Sequence, residues 1–135
     1  VCESNVCISG SNSGGDCSVN GDLDCPGYVS DIESNDLGND LMEGLRLAAK
    51  KNNLDVLIQG LGSFFWLSFT REKEIQNYRD HVNNVDEEKY SEFVKAMLLN
   101  GVRLSQNGRW HMSSSHTQKD IDMTIDAAIK AFSFI

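Results

Sequence analysis

The chain is short of base and nearly devoid of proline, and it confines its cysteines to one end. Its 12 Lys and Arg stand against 20 Asp and Glu, a formal net charge of −8. Phosphate backbones and anionic lipid surfaces are gripped by clustered Lys and Arg, so nucleic acid and membrane surfaces are excluded as partners. No apolar run approaches the roughly 20 residues of a membrane span; Phe64-Phe65-Trp66-Leu67 is far too short. No basic stretch followed by an apolar one opens the chain, so no signal peptide is expected and a cytoplasmic or organellar setting is inferred. The first residue is Val1 rather than Met, which suggests a fragment or a processed product. Cys2, Cys7, Cys17 and Cys25 all fall in the first 25 residues without a C-x-x-C pair. Unpaired thiols are the expectation for them, with disulfides or a metal site the open alternatives. The single proline, Pro26, stands with Gly27 at a break in composition.

What is present on the far side of that break is the pattern of a folded domain. The 135 residues include 40% hydrophobic side chains and two tryptophans, enough for a modest core. Residues 1–27 are rich in Ser, Gly, Asn, Asp and Cys and are expected to be loosely ordered, whereas residues 28–135 carry regular apolar periods. Leu37, Leu41, Leu45 and Ala48 recur at helical spacing, with Lys50-Lys51 near the end and Asn52-Asn53 as terminator. Leu54, Val56 and Ile58 alternate as in a strand, Gly60-Leu61-Gly62 reads as a turn or bulge, and 63–70 as an aromatic second strand. A short helix is expected over 72–82. A third follows, capped by Asp86, faced by Tyr90, Phe93, Val94, Met97 and Leu98, and stopped at Asn100-Gly101. Strands are expected at 102–105 and 109–114. Thr117 and Asp120 make a variant capping box for a last helix, whose Ile121, Ile125, Ala128 and Phe132 share one face. Strands in adjacent pairs with tight connections predict an α+β layer: a small antiparallel sheet of about four strands covered by helices.

The order of these elements and several short motifs resemble the C-terminal small domain of class III aminotransferases, in particular the branch around glutamate-1-semialdehyde aminomutase. The residues that carry the likeness are Asn39-Asp40-Leu41-Met42-Glu43-Gly44-Leu45, Gln59-Gly60-Leu61-Gly62-Ser63-Phe64-Phe65, Asn77-Tyr78-Arg79-Asp80, Tyr90-Ser91-Glu92-Phe93, Met97-Leu98-Leu99-Asn100-Gly101-Val102, and Gly108-Arg109-Trp110 with Ser115-His116-Thr117 and Asp120-Ile121-Asp122. Upstream, Gly10-Ser11-Asn12-Ser13-Gly14-Gly15-Asp16 is similar to the family's G-T-x-x-G-N-P loop, with Ser11 in place of Thr and Gly15-Asp16 departing from Asn-Pro. The fold implied is that of the C-terminal domain of fold-type I pyridoxal-phosphate enzymes.

The activity implied is amino-group transfer on a small amino acid or semialdehyde with pyridoxal 5′-phosphate (PLP). By the same resemblance, Gly10 and Ser11 would bind the cofactor phosphate across a subunit interface, and Arg109 would hold a substrate carboxylate. A guanidinium suits that task because it offers a planar fork to two oxygens; the plainer expectation for Arg109 is a surface ion pair in an acid-rich chain. PLP chemistry needs a Schiff-base lysine, which the family places before the Gly-Thr loop, yet no lysine precedes Lys50. The chain by itself is therefore expected to hold no catalytic residue and to be inactive, its partner being a large catalytic domain or second subunit. The alternative is a non-catalytic truncated domain, serving as an interaction module or without function. His81, His111 and His116 are too scattered for a metal site, and Gly14-Gly15 lacks the lysine of a phosphate-binding loop.

Overall fold

A computed structural model describes residues 2–3, 6–7 and 29–135, with side chains from residue 34 onward. Gly10, Ser11, Cys17 and Cys25 lie outside the described residues. Two short strands, β1 (Cys2–Glu3) and β2 (Val6–Cys7), pair antiparallel. The elements that follow are α1 (Val29–Lys51), β3 (Val56–Leu61), β4 (Phe64–Phe69), α2 (Tyr78–Asn84), α3 (Glu87–Leu99), β5 (Arg109–His111) and α4 (Gln118–Phe132).

The expected α+β class is what the chain adopts. Strands β3, β4 and β5 form one antiparallel sheet in that order. Alternation along them sends Ile58, Phe65, Leu67, Phe69 and Trp110 to one face, where they are buried. Helices α1, α3 and α4 cover that face, contributing Leu41, Leu45, Ala48, Phe93, Met97, Ile121, Ala128 and Phe132 to a single core. The long first helix ends as its sequence dictates: Lys50 and Lys51 occupy the last turn, and Asn53 turns the chain at a φ of 55°. Helix α3 is capped by Asp86, whose carboxylate accepts the Lys89 N–H at 2.9 Å. It closes at Gly101, with Gly101 N–H on Leu98 O and Val102 N–H on Met97 O, the paired bonds of a Schellman stop.

The structure departs from the sequence pattern in five places. The β3–β4 turn is Gly62-Ser63 alone, since Gly60 and Leu61 remain in the ladder opposite Phe65 and Phe64. Gly62 supplies the positive φ, 52°, that a two-residue hairpin needs at its first position. Residues 72–77 are not helical; α2 starts only after Asn77, because Gln59 Oε1 accepts the Ile75 N–H at 2.9 Å and holds that stretch against β3. Residues 102–105 make no ladder, so three of the four expected strands pair, and Ser105 O instead accepts the Tyr90 hydroxyl at 2.9 Å. Strand β5 is only three residues long, and Leu98 is exposed at the end of the face that buries Tyr90, Phe93 and Met97.

Two local devices hold the covering layer and predict measurable effects. Gly38 lets α1 lie directly on the hairpin turn, since a Cβ there would overlap the Gly62 carbonyl oxygen. Gly38→Ala gains helix propensity of about 1 kcal/mol but forces backbone against backbone. A net loss of roughly 1–2 kcal/mol is expected, read as a lower urea midpoint; a variant as stable as the parent or more so refutes the close packing. At the start of α4, the Asp120 carboxylate accepts both the backbone N–H and the hydroxyl of Thr117, each at 2.8 Å. Those two bonds hold Asp120 below the usual carboxylate range. The stabilisation is therefore present above the ordinary Asp value of about 3.9 and is lost as pH falls through the lowered folded-state value. Asp120→Asn should unfold at a lower urea concentration than the parent at neutral pH, the gap closing in acid; a gap independent of pH contradicts the assignment.

Candidate functional site

The face of the sheet opposite the core carries the side chains that the helices do not need. Register places Trp66 of β4 directly across from Arg109 of β5, and Phe64 across from His111. Directly opposed residues share a face with Cβ atoms about 4.5–5.5 Å apart, so an indole and a guanidinium stand side by side. Phe64 packs edge-on against Trp66, centroids 4.5 Å apart, and tilts against His111 at 4.8 Å. The result is an aromatic row that ends at a cation.

Trp66 and Arg109, at one end of this row, form with helix α2 and the loop before β5 a cleft of about 490 Å³ whose lining also includes Tyr78, His81, Glu87 and Asn107. The Gln59–Ile75 bond sets where α2 begins, and Asn77 caps it by accepting the Asp80 N–H at 3.0 Å. Tyr78, first residue of that helix, stands 81% exposed and stacks in parallel with His81 at 6.4 Å. His81 Nδ1 lies 3.7 Å from Glu87 Oε1, an ion pair only when the imidazole is protonated.

Arg109 is held from one side. With the Asn107 amide turned so that its oxygen faces the guanidinium, Oδ1 accepts from Nε and Nη2 at 3.1 Å each, and Nδ2 donates to Ser105 Oγ at 2.6 Å. Guanidinium carries five N–H donors; Asn107 engages the Nε edge and leaves the Nη1/Nη2 end open for a second planar acceptor. No carboxylate among the described residues lies within ion-pair distance of Arg109. The surface ion pair considered for it from composition is replaced by a neutral amide, which orients the charge without cancelling it. The loop that carries Asn107 is anchored by Tyr90 through Ser105. Burial pushes the Tyr90 phenol up to about 12. It is thus a hydrogen-bond donor at neutral pH and not a base.

Of the binding residues proposed from the resemblance, Arg109 alone lies in the described part, and it lines the cleft; Gly10 and Ser11 fall outside the described residues. His116 Nδ1 accepts the Ser113 N–H at 3.0 Å. Among the described residues no three His, Cys, Asp or Glu side chains gather as a metal site. Trp66, Tyr78 and Asn107 were not legible as site residues. Only the Trp66–Arg109 register brings the first of them to the cation, and strand register is invisible in one strand's own pattern.

No family model matches the sequence. Solved structures do match the fold. A structure described as a transaminase with PLP bound superposes with a TM-score of 0.65 at 19% identity, over 79% of this chain and 24% of that one. An omega-transaminase from Sphaerobacter thermophilus gives 0.64 at 13% identity, over 77% of this chain and 24% of that one. The FumI protein of Sphingopyxis sp. MTA144, in its PLP internal aldimine form, gives 0.60 at 19% identity, over 76% and 22%. At these identities the likeness is one of fold, and the chain spans about a quarter of the length of the structures it matches. The chain folds as a quarter-length portion of these transaminases does.

Proposed function

We propose that this chain is the small domain of a PLP-dependent class III aminotransferase, of the glutamate-1-semialdehyde aminomutase-like branch, acting on a small amino acid or semialdehyde. The observation that carries the proposal is Arg109: a guanidinium oriented by Asn107, free at its terminal edge, and set in a cleft of a fold shared with PLP-bound transaminases. Its task is to align a substrate carboxylate by two parallel N–H···O bonds. Trp66, opposite Arg109 in the ladder, forms the wall beside that carboxylate.

The described residues fit the substrate and not the cofactor. No lysine lines the cleft, and its only carboxylate, Glu87, faces His81. PLP would supply an electron sink for bonds to the substrate's amino-bearing carbon; its lysine and pyridine-nitrogen partner would come from a large catalytic domain or second subunit, with Gly10 and Ser11 proposed for the phosphate. The 135-residue chain mixed with PLP should accordingly form only slow, scattered adducts with surface amines. A stoichiometric adduct trapped by borohydride at one lysine, with amino-acid turnover, refutes this division of labour.

A further inference from the structure

We infer that, within the amino-acid substrates proposed above, the Arg109 cleft narrows the choice to a carboxylate carried with an aromatic ring, such as an aromatic amino acid or its keto acid, in preference to a short aliphatic acid or semialdehyde. The inference rests on the reading of Arg109 as a carboxylate clamp and adds what surrounds it. Trp66, opposite Arg109 in the ladder, leaves 37% of its surface exposed, and Phe64 fixes its ring from one edge. Tyr78 contributes a second, far more exposed ring to the same cleft, braced by His81. A cleft of about 490 Å³ lies within the usual range for small-molecule sites. A two- or three-carbon acid reaches Arg109 but leaves both rings wet. A ligand whose ring is separated from its carboxylate by two carbons satisfies the guanidinium and covers the indole together, adding apolar burial and ring–ring contact. The aromatic row and the cation are neighbours by register, so one rigid ligand meets both.

The test is titration of the chain with phenylpropionate, propionate and phenylpropanol, followed by the fluorescence of Trp66; Trp110 is 5% exposed and serves as the buried reference. Phenylpropionate should saturate with a dissociation constant at least about tenfold below that of propionate. Arg109→Ala should abolish that binding, whereas Tyr78→Ala, at a residue 81% exposed, should bring phenylpropionate down toward propionate without moving the urea midpoint. Equal affinity for phenylpropionate and propionate overturns the aromatic preference and leaves the clamp standing. Saturation by phenylpropanol as tight as by phenylpropionate, or by no carboxylate at all, overturns the clamp and the inference with it.

Discussion

Phe132→Ala should lower the unfolding free energy by about 3–5 kcal/mol. Phe132 comes from the last turn of α4 and is 2% exposed. Its ring stacks on Phe93 of α3 at 4.7 Å and meets Phe69 of β4 edge-on at 6.2 Å. One side chain thus joins two helices to the sheet. Truncation removes the transfer free energy of the ring and leaves a cavity between three elements, and the packed neighbours can collapse into it only in part. Phe134, two residues on and 79% exposed, is the internal control: Phe134→Ala should stay within about 0.5 kcal/mol. Urea denaturation of both variants decides the matter. Equal midpoints for the parent and Phe132→Ala would show that α4 does not dock on α3 and β4 in solution.

In the complete enzyme proposed here, Arg109→Ala should raise KM for carboxylate substrates by roughly ten- to a hundredfold, the worth of hydrogen bonds to a charged group. PLP retention should not change. Arg109→Lys keeps the charge but loses the planar fork and the two bonds to Asn107, so it should recover only part of the loss. Ser11→Ala should do the opposite, loosening PLP while leaving KM for the carboxylate group near its parent value. The separation matters because a merely structural Arg109 would shift stability and both kinetic constants together. Parent values of KM and kcat in Arg109→Ala would mean that the guanidinium is a surface group whose partner is Asn107 and nothing else.

Much of the architecture was written in local pattern. The 3.6-residue period of Leu37, Leu41, Leu45 and Ala48, the Asp86 cap, the Asn100-Gly101 stop and the Thr117/Asp120 box each describe bonds within one stretch of chain, and such bonds depend on neighbours a few residues away. The errors share a cause of the opposite kind. Residues 72–77 have helical composition, but a bond from Gln59, 16 residues before Ile75, claims their backbone. Residues 102–105 have strand composition, but Tyr90, 15 residues before Ser105, claims the carbonyl that a ladder would have used. In both cases a long-range hydrogen bond outweighs a propensity of a few tenths of a kcal/mol per residue.

The same division applies to the site. Sequence alone determined that the chain is acidic and that the class is α+β, and it singled out Arg109 as a candidate, because composition, period and motif order are properties of the chain itself. What only the tertiary structure decided is the company Arg109 keeps. Trp66 stands beside it because β4 and β5 pair in one register, Asn107 orients it because Tyr90 anchors the loop, and Tyr78 faces it because Gln59 delays the start of α2. Each of these depends on which residues of separate segments meet across a ladder or a loop, and a shift of one residue in register would send Trp66 into the core and Leu67 to the cation.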